Sequence, residues 1–225
     1  MIYLDNSATT KPHESVLQTF LQVNERYFAN PASIHKAGVE ANDLLSRARE
    51  QVASILNTED KQVIFTSGGT ESNNFALYGI AKSSTHKGKH IIVSEIEHPS
   101  VLEAAKRLIT EGVDIEYLRV DEHGKLSVEQ LKRIIRKDTI LVSVMHVNNE
   151  MGAISPIREM AKIIHEKSRA VFHVDAVQSF GKMHVAFDGE NGPDILTVSG
   201  HKIHGIKGSG IIAFRKQLNI SPLLV

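Results

Sequence analysis

The sequence predicts an α/β fold in which a predominantly parallel sheet is covered by helices on both faces. From residue 63 onward, short apolar runs rich in β-branched residues alternate with longer segments of helical apolar spacing. Such alternation is typical of parallel strands joined by crossover helices. Polar residues of distinctive chemistry cluster just after these runs, where an α/β sheet presents its functional groups. The pattern therefore predicts both the fold and the edge that carries the site.

Seven strands and six helices account for the apolar pattern. A proline is tolerated in the first turn of a helix, as at Pro12, and serine is a favourable N-cap, as at Ser127. The predicted strands span residues 63–66, 90–94, 115–120, 139–144, 170–174, 194–198 and 210–214. Four predicted helices span residues 12–28, 36–57, 127–135 and 157–166. Two more follow loops: one leads from the turn over 67–74 to residue 81, and the other leads from the loop over 95–100 to about residue 111.

The composition indicates a globular protein that can bury a core. Of its 225 residues, 41% are hydrophobic and 23% are charged, and 26 basic residues balance 26 acidic ones. This balance gives no reason to expect nucleic acid or an acidic membrane as a partner. No apolar run approaches the roughly 20 residues of a membrane span, and no signal peptide is recognisable. We therefore expect a cytoplasmic protein.

The sequence contains no cysteine. Disulfides, thiolate metal sites and a cysteine nucleophile are therefore excluded within this chain, and we expect no metal site.

Lys202 lies among glycines and hydrogen-bonding residues in the stretch 199–208, between two predicted strands. Glycines let the backbone close in around such a lysine. A lysine that loses solvation has a lowered pKa and becomes a nucleophilic amine, as Schiff-base chemistry requires. The alternative is a glycine-rich turn that carries a solvated lysine.

The turn over residues 67–74 joins a predicted strand to the start of a predicted helix. Free backbone N–H groups and the helix dipole make such a junction an anion site. The glycine spacing fits neither a Walker motif nor G-x-G-x-x-G, so the motif does not indicate a nucleotide loop. A plain strand-to-helix turn is the alternative.

Three further groups follow predicted strands. His98 could be a hydrogen-bonded loop residue, and Asp175 could be a helix N-cap, but an acidic residue at the end of a buried strand otherwise needs a cation or charged donor. The third group is an asparagine in the stretch 145–152. Together with Gln178, Lys202 and the anion site, these three groups form one rim of the predicted sheet. Pyridoxal 5′-phosphate needs this set, because its aldehyde requires a lysine, its pyridinium nitrogen an acidic partner and its phosphate a helix N-terminus.

The chain resembles the large domain of the NifS/IscS-type cysteine desulfurases, in the class V aminotransferase group of fold-type I pyridoxal phosphate enzymes. The resemblance implies a three-layer α/β/α fold with a mixed, mostly parallel seven-stranded sheet. It also implies that residues 1–15 pack with a small domain and that residues 16–225 form the cofactor-binding domain. The matching stretches are YLDNSATT at 3–10, NPASIH at 30–35, TSGGTESNN at 66–74, EH at 97–98, MHVNNEMG at 145–152, HVDAVQ at 173–178 and SGHK at 199–202.

The resemblance also implies residue roles. Lys202 would bond to the aldehyde, and either Lys202 or His98 would handle the α-proton. His98 would also stack on the ring. Asp175 would pair with the pyridinium nitrogen, and Gln178 would hydrogen-bond the phenolic oxygen. Asn149 would lie near the ring and help to position the substrate. The phosphate would be held by Gly69, Thr70, Ser199 and His201.

The implied activity is removal of sulfur from L-cysteine, giving L-alanine and an enzyme-bound persulfide for iron–sulfur cluster or thio-cofactor synthesis. The resemblance also implies a homodimer and a sulfur acceptor, which is an iron–sulfur scaffold or a tRNA-thiolation enzyme, without direct nucleic-acid binding. Family members are longer and carry, beyond the matched part, a carboxylate-binding arginine, a nucleophilic cysteine and a partner-subunit phosphate contact. We therefore expect a piece of such an enzyme, natural or truncated, with little or no turnover alone.

Two other functions remain open at the level of sequence. One is a related class V enzyme such as a selenocysteine lyase. The other is a non-catalytic module that dimerises or binds the cofactor.

Overall fold

The seven-stranded sheet that the sequence predicts is present. The computed structural model describes residues 2–84, 88–185, 187, 191–215 and 218–223. Within these residues, one sheet has the strand order β1-β7-β6-β5-β4-β2-β3. Its strands are β1 (Val63–Thr66), β2 (His90–Ser94), β3 (Asp114–Leu118), β4 (Thr139–Met145), β5 (Val171–Asp175), β6 (Ile195–Ser199) and β7 (Gly210–Phe214).

Strand direction brings the carboxyl ends of most strands to one edge. The neighbours from β6 through β3 are parallel, and β7 runs antiparallel to both β1 and β6. Gly210, the first residue of β7, pairs with Thr66 at the end of β1 and with Ser199 at the end of β6. The predicted mixed, mostly parallel sheet is therefore confirmed.

Helices cover both faces of the sheet, as the strand–helix alternation predicts. Ile91 and Val93 pack into a core with α3 and α4, whereas Ile92 between them packs into a second core with α5 and α6. This alternation follows from the two-residue period of side chains along a strand. The helices are α1 (Glu14–Arg26), α2 (Lys36–Leu56), α3 (Gly69–Ser83), α4 (Pro99–Thr110), α5 (Val128–Ile134) and α6 (Ile157–Lys167).

Two element ends differ from the predicted ones where the backbone makes specific hydrogen bonds or bridges. Helix α1 begins at Glu14 rather than at 12, where the N–H of His13 instead donates to the carbonyl of His204. Strand β3 ends at Leu118 rather than at 120, because Val120 forms an isolated bridge with Leu126. These contacts are not visible in apolar spacing.

None of the described helices combines the length needed to cross a membrane with a sufficiently apolar sequence.

Candidate active site

A cavity of about 660 Å³ lies at the edge of the sheet where the parallel strands end. Strands β4, β5 and β6, the start of α3 and the N-terminal segment contribute to its wall. The lining includes every site residue that the sequence predicts, namely Gly69, Thr70, His98, Asn149, Asp175, Gln178, Ser199, His201 and Lys202. The structure therefore brings these residues together, while their roles remain predictions.

Lys202 ends a short 3-10 helix, Gly200–Lys202, which we call the lysine turn. The turn is tight, since a Cβ at Gly200 would lie 2.3 Å from Oγ of Ser209. Nζ of Lys202 donates to the carbonyl of Ser7, which also accepts from Nε2 of Gln178 at 2.8 Å. Burial, together with the charge of Lys182, lowers the pKa of Lys202. The neutral, nucleophilic form of this amine is therefore easier to reach.

The N-terminal segment is hydrogen-bonded along the lysine turn. The backbone N–H and the hydroxyl of Thr10 both donate to the carbonyl of His201, at 2.8 and 2.9 Å. The hydroxyl oxygen of Thr10 in turn accepts from the N–H of His204 at 2.7 Å. Sequence reasoning did not assign Ser7 or Thr10 a role, although both lie in the first matched motif. The packing of residues 1–15 with a further domain remains a prediction.

The junction between β1 and α3 approaches the start of β7 closely. Gly68 has a φ of 153°, and a Cβ at Gly210 would lie only 2.6 Å from Cα of Gly68. This crossing places the first turn of α3, beginning at Gly69, beside Ser199. The first N–H groups of a helix have no partner within the helix and carry a partial positive charge. The junction is therefore suited to an anion.

Asp175 ends β5 as a buried carboxylate that faces the cavity. Its Oδ1 accepts from the N–H of Val177 at 2.9 Å, and its Oδ2 accepts from Nδ2 of Asn73 at 2.8 Å. Burial raises the pKa of Asp175, against these two hydrogen bonds and the charges of His98 and Lys202. A desolvated carboxylate beside a cavity is stabilised by a positively charged or protonated donor.

A second buried carboxyl group, Glu97, is close enough to Asp175 to interact with it electrostatically. Its Oε1 accepts from the N–H of Met145 at 2.6 Å and from the hydroxyl of Ser94. Its Oε2 has no hydrogen-bond partner among the described residues. Burial raises the pKa of Glu97 to about 8, and the charge of Asp175 contributes to the increase. Glu97 is thus protonated at neutral pH. Although Glu97 belongs to the matched stretch at 97–98, the sequence does not indicate this protonation.

His98 and Asn149 reach the cavity from two loops. His98 caps α4, and its Nδ1 accepts from the N–H of Ser100 at 3.1 Å. The neighbouring Asn148 holds the second loop, because its Oδ1 accepts from the N–H groups of Glu150 and Met151. Asn149 is consequently turned towards the cavity. The two adjacent asparagines therefore have different environments, and the sequence alone does not distinguish them.

Known proteins that are similar to this chain support the resemblance to class V aminotransferases. The sequence profile of the family described as Aminotransferase class-V matches residues 2–224. The cysteine desulfurase IscS of Dictyoglomus turgidum is 45% identical over 223 residues, which cover 99% of this chain and 56% of that protein. The mitochondrial cysteine desulfurase of Saccharomyces cerevisiae is 43% identical over 226 residues, with 99% of this chain and 45% of that protein covered.

Solved structures share the fold. A structure described as a NifS-like protein has a TM-score of 0.96 at 38% identity and covers 99% of this chain, which corresponds to 61% of that chain. A structure described as SspA in complex with cysteine has a TM-score of 0.94 at 35% identity, covering 100% of this chain and 65% of that one.

The chain spans just over half the length of the Dictyoglomus relative, at 56%. The resemblance to the NifS/IscS-type proteins is confirmed, and the family uses pyridoxal 5′-phosphate. This chain therefore belongs to the class-V aminotransferase family, and its relatives include cysteine desulfurases.

Proposed function

We propose that this chain is the cofactor-binding part of a pyridoxal phosphate-dependent cysteine desulfurase, a sulfurtransferase that converts L-cysteine to L-alanine. One observation carries the proposal. A buried carboxylate, a lysine with a lowered pKa and the start of a helix line a single cavity. These three features complement the ring nitrogen, the aldehyde and the phosphate of the cofactor.

The polar groups present fit the cofactor. An ionised carboxylate offers about four acceptor positions, and Asp175 uses one each for Val177 and Asn73. A protonated ring nitrogen could therefore be accommodated without displacing either donor. At the other end of the cavity, Gly69, Thr70, Ser199 and His201 surround the start of α3, where a phosphate would be held.

When bound, the cofactor supplies an electron sink that stabilises negative charge on the α-carbon of an amino acid. Asp175 would keep the ring nitrogen protonated, because its buried charge is best neutralised by that donor. Lys202 or His98 would accept and return the α-proton, and Asn149 would help to position the substrate. Gln178 would donate a hydrogen bond to the phenolic oxygen.

The names of the relatives support L-cysteine rather than selenocysteine as the proposed substrate. The curated relatives are named cysteine desulfurases, and one similar solved structure is described as a complex with cysteine. Because the chain has no cysteine, the thiol that accepts the sulfur must come from outside these 225 residues. We accordingly propose little or no sulfur transfer by this chain alone, with dimerisation and a sulfur-acceptor protein belonging to the full enzyme.

The proposal predicts that Lys202 bonds covalently to the cofactor. The purified chain would be mixed with pyridoxal 5′-phosphate, reduced with borohydride to fix the bond, and digested for peptide mass spectrometry. We expect the cofactor on the peptide that contains Lys202, accompanied by the red-shifted absorbance band of the lysine-bound aldehyde before reduction. Lys202→Ala should abolish the band and the modification.

Lys162→Ala is the matched control, because Lys162 is an exposed lysine on α6. This variant should be modified at Lys202 like the unaltered chain. Modification spread evenly over surface lysines, with no preference for Lys202, would contradict the proposed role. In a separate, unreduced sample of the cofactor-loaded chain, addition of L-cysteine should release no sustained sulfide.

A further inference from the structure

Asn73 lies in the first turns of α3, fully enclosed between two of the proposed cofactor-binding groups. Its Nδ2 donates to Oδ2 of Asp175 at 2.8 Å and to Oγ of Ser100 at 2.9 Å. Oγ of Ser100 is in turn 2.9 Å from Nδ1 of His98. Three consecutive hydrogen bonds therefore join the carboxylate of Asp175 to the imidazole of His98.

The chain of hydrogen bonds continues into the sheet on the other side of Asn73. Oγ1 of Thr197 is 2.6 Å from Oδ1 of Asn73 and 3.1 Å from Nε2 of His173. Nδ1 of His173 is 2.8 Å from Oγ of Ser143. All of these side chains are buried, and burial lowers the pKa of His173 to about 3, so that this histidine is neutral.

One fixed group, the backbone N–H of Ser100, determines the direction of every bond in this chain of hydrogen bonds, which we call the relay. The backbone N–H of Ser100 can only donate, and its contact with Nδ1 of His98 at 3.1 Å requires a lone pair there. The hydroxyl of Ser100 therefore also donates to Nδ1 and must accept from Asn73. The amide oxygen of Asn73 then faces Thr197, whose hydroxyl donates to it and accepts from His173.

We propose that Asn73 is a positioning residue that couples Asp175 to His98, keeping Asp175 as a hydrogen-bond acceptor and the ring proton of His98 on Nε2. The same direction places the proton of His173 on Nε2. The hydrogen-bond assignment stands on geometry alone, whereas its importance for catalysis rests on the proposed function of His98 and Asp175.

A reversed relay is the physical alternative. If Asp175 were protonated, it would donate to the amide oxygen of Asn73, and the amide nitrogen would face Thr197. Each hydroxyl in the chain would then turn round. Both His98 and His173 would then carry their protons on Nδ1, and in His98 this proton would oppose the N–H of Ser100. The tautomers of two separate histidines therefore report the direction of one hydrogen-bond chain.

The direction can be measured in the cofactor-free chain. Long-range ¹H–¹⁵N spectra of ¹⁵N-histidine-labelled protein at neutral pH distinguish a protonated from an unprotonated ring nitrogen. We expect protonated Nε2 and unprotonated Nδ1 for both His98 and His173. A proton on Nδ1 of either residue would overturn the assignment.

The role of Asn73 can be tested with Asn73→Ala. Without the amide, Thr197 is free to donate to His173, so His173 should become a mixture of tautomers. Asp175 also loses a donor, so the midpoint of its carboxyl titration, followed by ¹³C NMR, should move to higher pH. Asn74→Ala is the matched control, because Asn74 donates to the backbone carbonyls of Thr70 and Ser100 rather than to a side chain of the relay. This variant should leave both signals in place.

A second pair of variants covers the case in which Asn73→Ala does not fold. Thr197→Val keeps the volume but removes the hydroxyl, and it should convert His173 to a tautomer mixture. Thr197→Ser retains the hydroxyl and should restore the single tautomer. Unchanged His173 signals in a folded Asn73→Ala or Thr197→Val chain would overturn the relay. Loss of cofactor attachment at Lys202 would instead count against the proposed function, so the two failures can be told apart.

Discussion

Two regions of this chain bury polar and apolar groups in opposite ways. At the carboxyl edge of the sheet, polar side chains such as Asn73, Asp175 and Thr197 are almost fully enclosed and hydrogen-bonded to one another. Helix α1, in contrast, has no buried residue, although its sequence includes Leu17, Phe20 and Leu21. The chain thus encloses polar groups at the site while it leaves large apolar groups exposed at its amino-terminal end.

The difference shows what each kind of burial achieves. A buried polar network is favourable only when each member has a partner, and it then holds its groups in one arrangement. An apolar helical face gains stability only when another surface covers it. The sheet edge is therefore organised within the chain itself, whereas the contribution of α1 depends on what packs against it.

The largest expected effect is on core packing. Phe172 in β5 is 0% exposed, whereas Phe28, just beyond α1, is 81% exposed. Phe172→Ala should lower the free energy of unfolding by about 3–5 kcal/mol, because the substitution leaves a cavity in a packed core. Phe28→Ala, the same substitution at an exposed site, should change it by less than about 0.5 kcal/mol.

Urea unfolding followed by circular dichroism would measure both variants. A large loss of stability in Phe28→Ala would mean that the amino-terminal apolar surface is already covered, for example by a second copy of the chain. Repeating the measurement at several protein concentrations would identify that case.

A smaller effect should come from Glu97. Its pKa is about 8 in the folded chain, above the ordinary carboxyl value, so the folded state binds this proton more tightly than the unfolded state does. The stabilising contribution is complete at acidic pH and is lost as pH rises towards about 8. The maximum slope for one group is about 1.4 kcal/mol per pH unit.

Glu97→Gln retains an acceptor for Met145 and Ser94 but cannot ionise. Its free energy of unfolding should therefore fall less steeply than that of the unaltered chain over this pH range. Glu95→Gln is the control, because Glu95 is exposed and lies two residues away. Parallel pH profiles for the unaltered chain and Glu97→Gln would show that Glu97 is not protonated in the folded state.

The smallest expected effect concerns Lys182. Its charge is the second cause, after burial, of the lowered pKa of Lys202. Lys182→Ala should therefore raise the pKa of Lys202 and move the pH midpoint of its labelling by acetic anhydride upwards, as measured by peptide mass spectrometry. Lys207→Ala removes a lysine from the loop that carries Lys202, and this variant should leave the midpoint in place. Equal shifts in the two variants would indicate a general change in surface charge.

The sheet could be predicted from sequence because its signal is local. Each strand is a short β-branched run, and the parallel arrangement follows from the helices between the runs. Boundaries were less accurate, since the end of β3 depends on a bridge between Val120 and Leu126. Burial along α2 also departs from side-chain hydrophobicity, because Ile55 is exposed while Ala41 and Ala53 are buried.

The site was only partly predictable. Lys202 and Asp175 have sequence signals because a lysine among glycines and an acid after a buried strand are both unusual. The relay through Asn73 has none, since Asn73 and Thr197 are 124 residues apart and neither residue type is uncommon where it stands. The raised pKa of Glu97 has no sequence signal for the same reason, because Met145 in β4 and Asp175 in β5, which both interact with this carboxyl group, are distant from it in sequence.

The hydrogen bonds between the N-terminal segment and the lysine turn have a consequence for biosynthesis. The contacts of Ser7 and Thr10 with Lys202 and His201 join residues 195 and 191 positions apart. Contacts of such high sequence separation form late, because closing a long loop costs chain entropy before any interaction repays it. During synthesis, residues 7–10 must therefore stay available until the segment that carries His201 and Lys202 has emerged from the ribosome, because only then can these hydrogen bonds form.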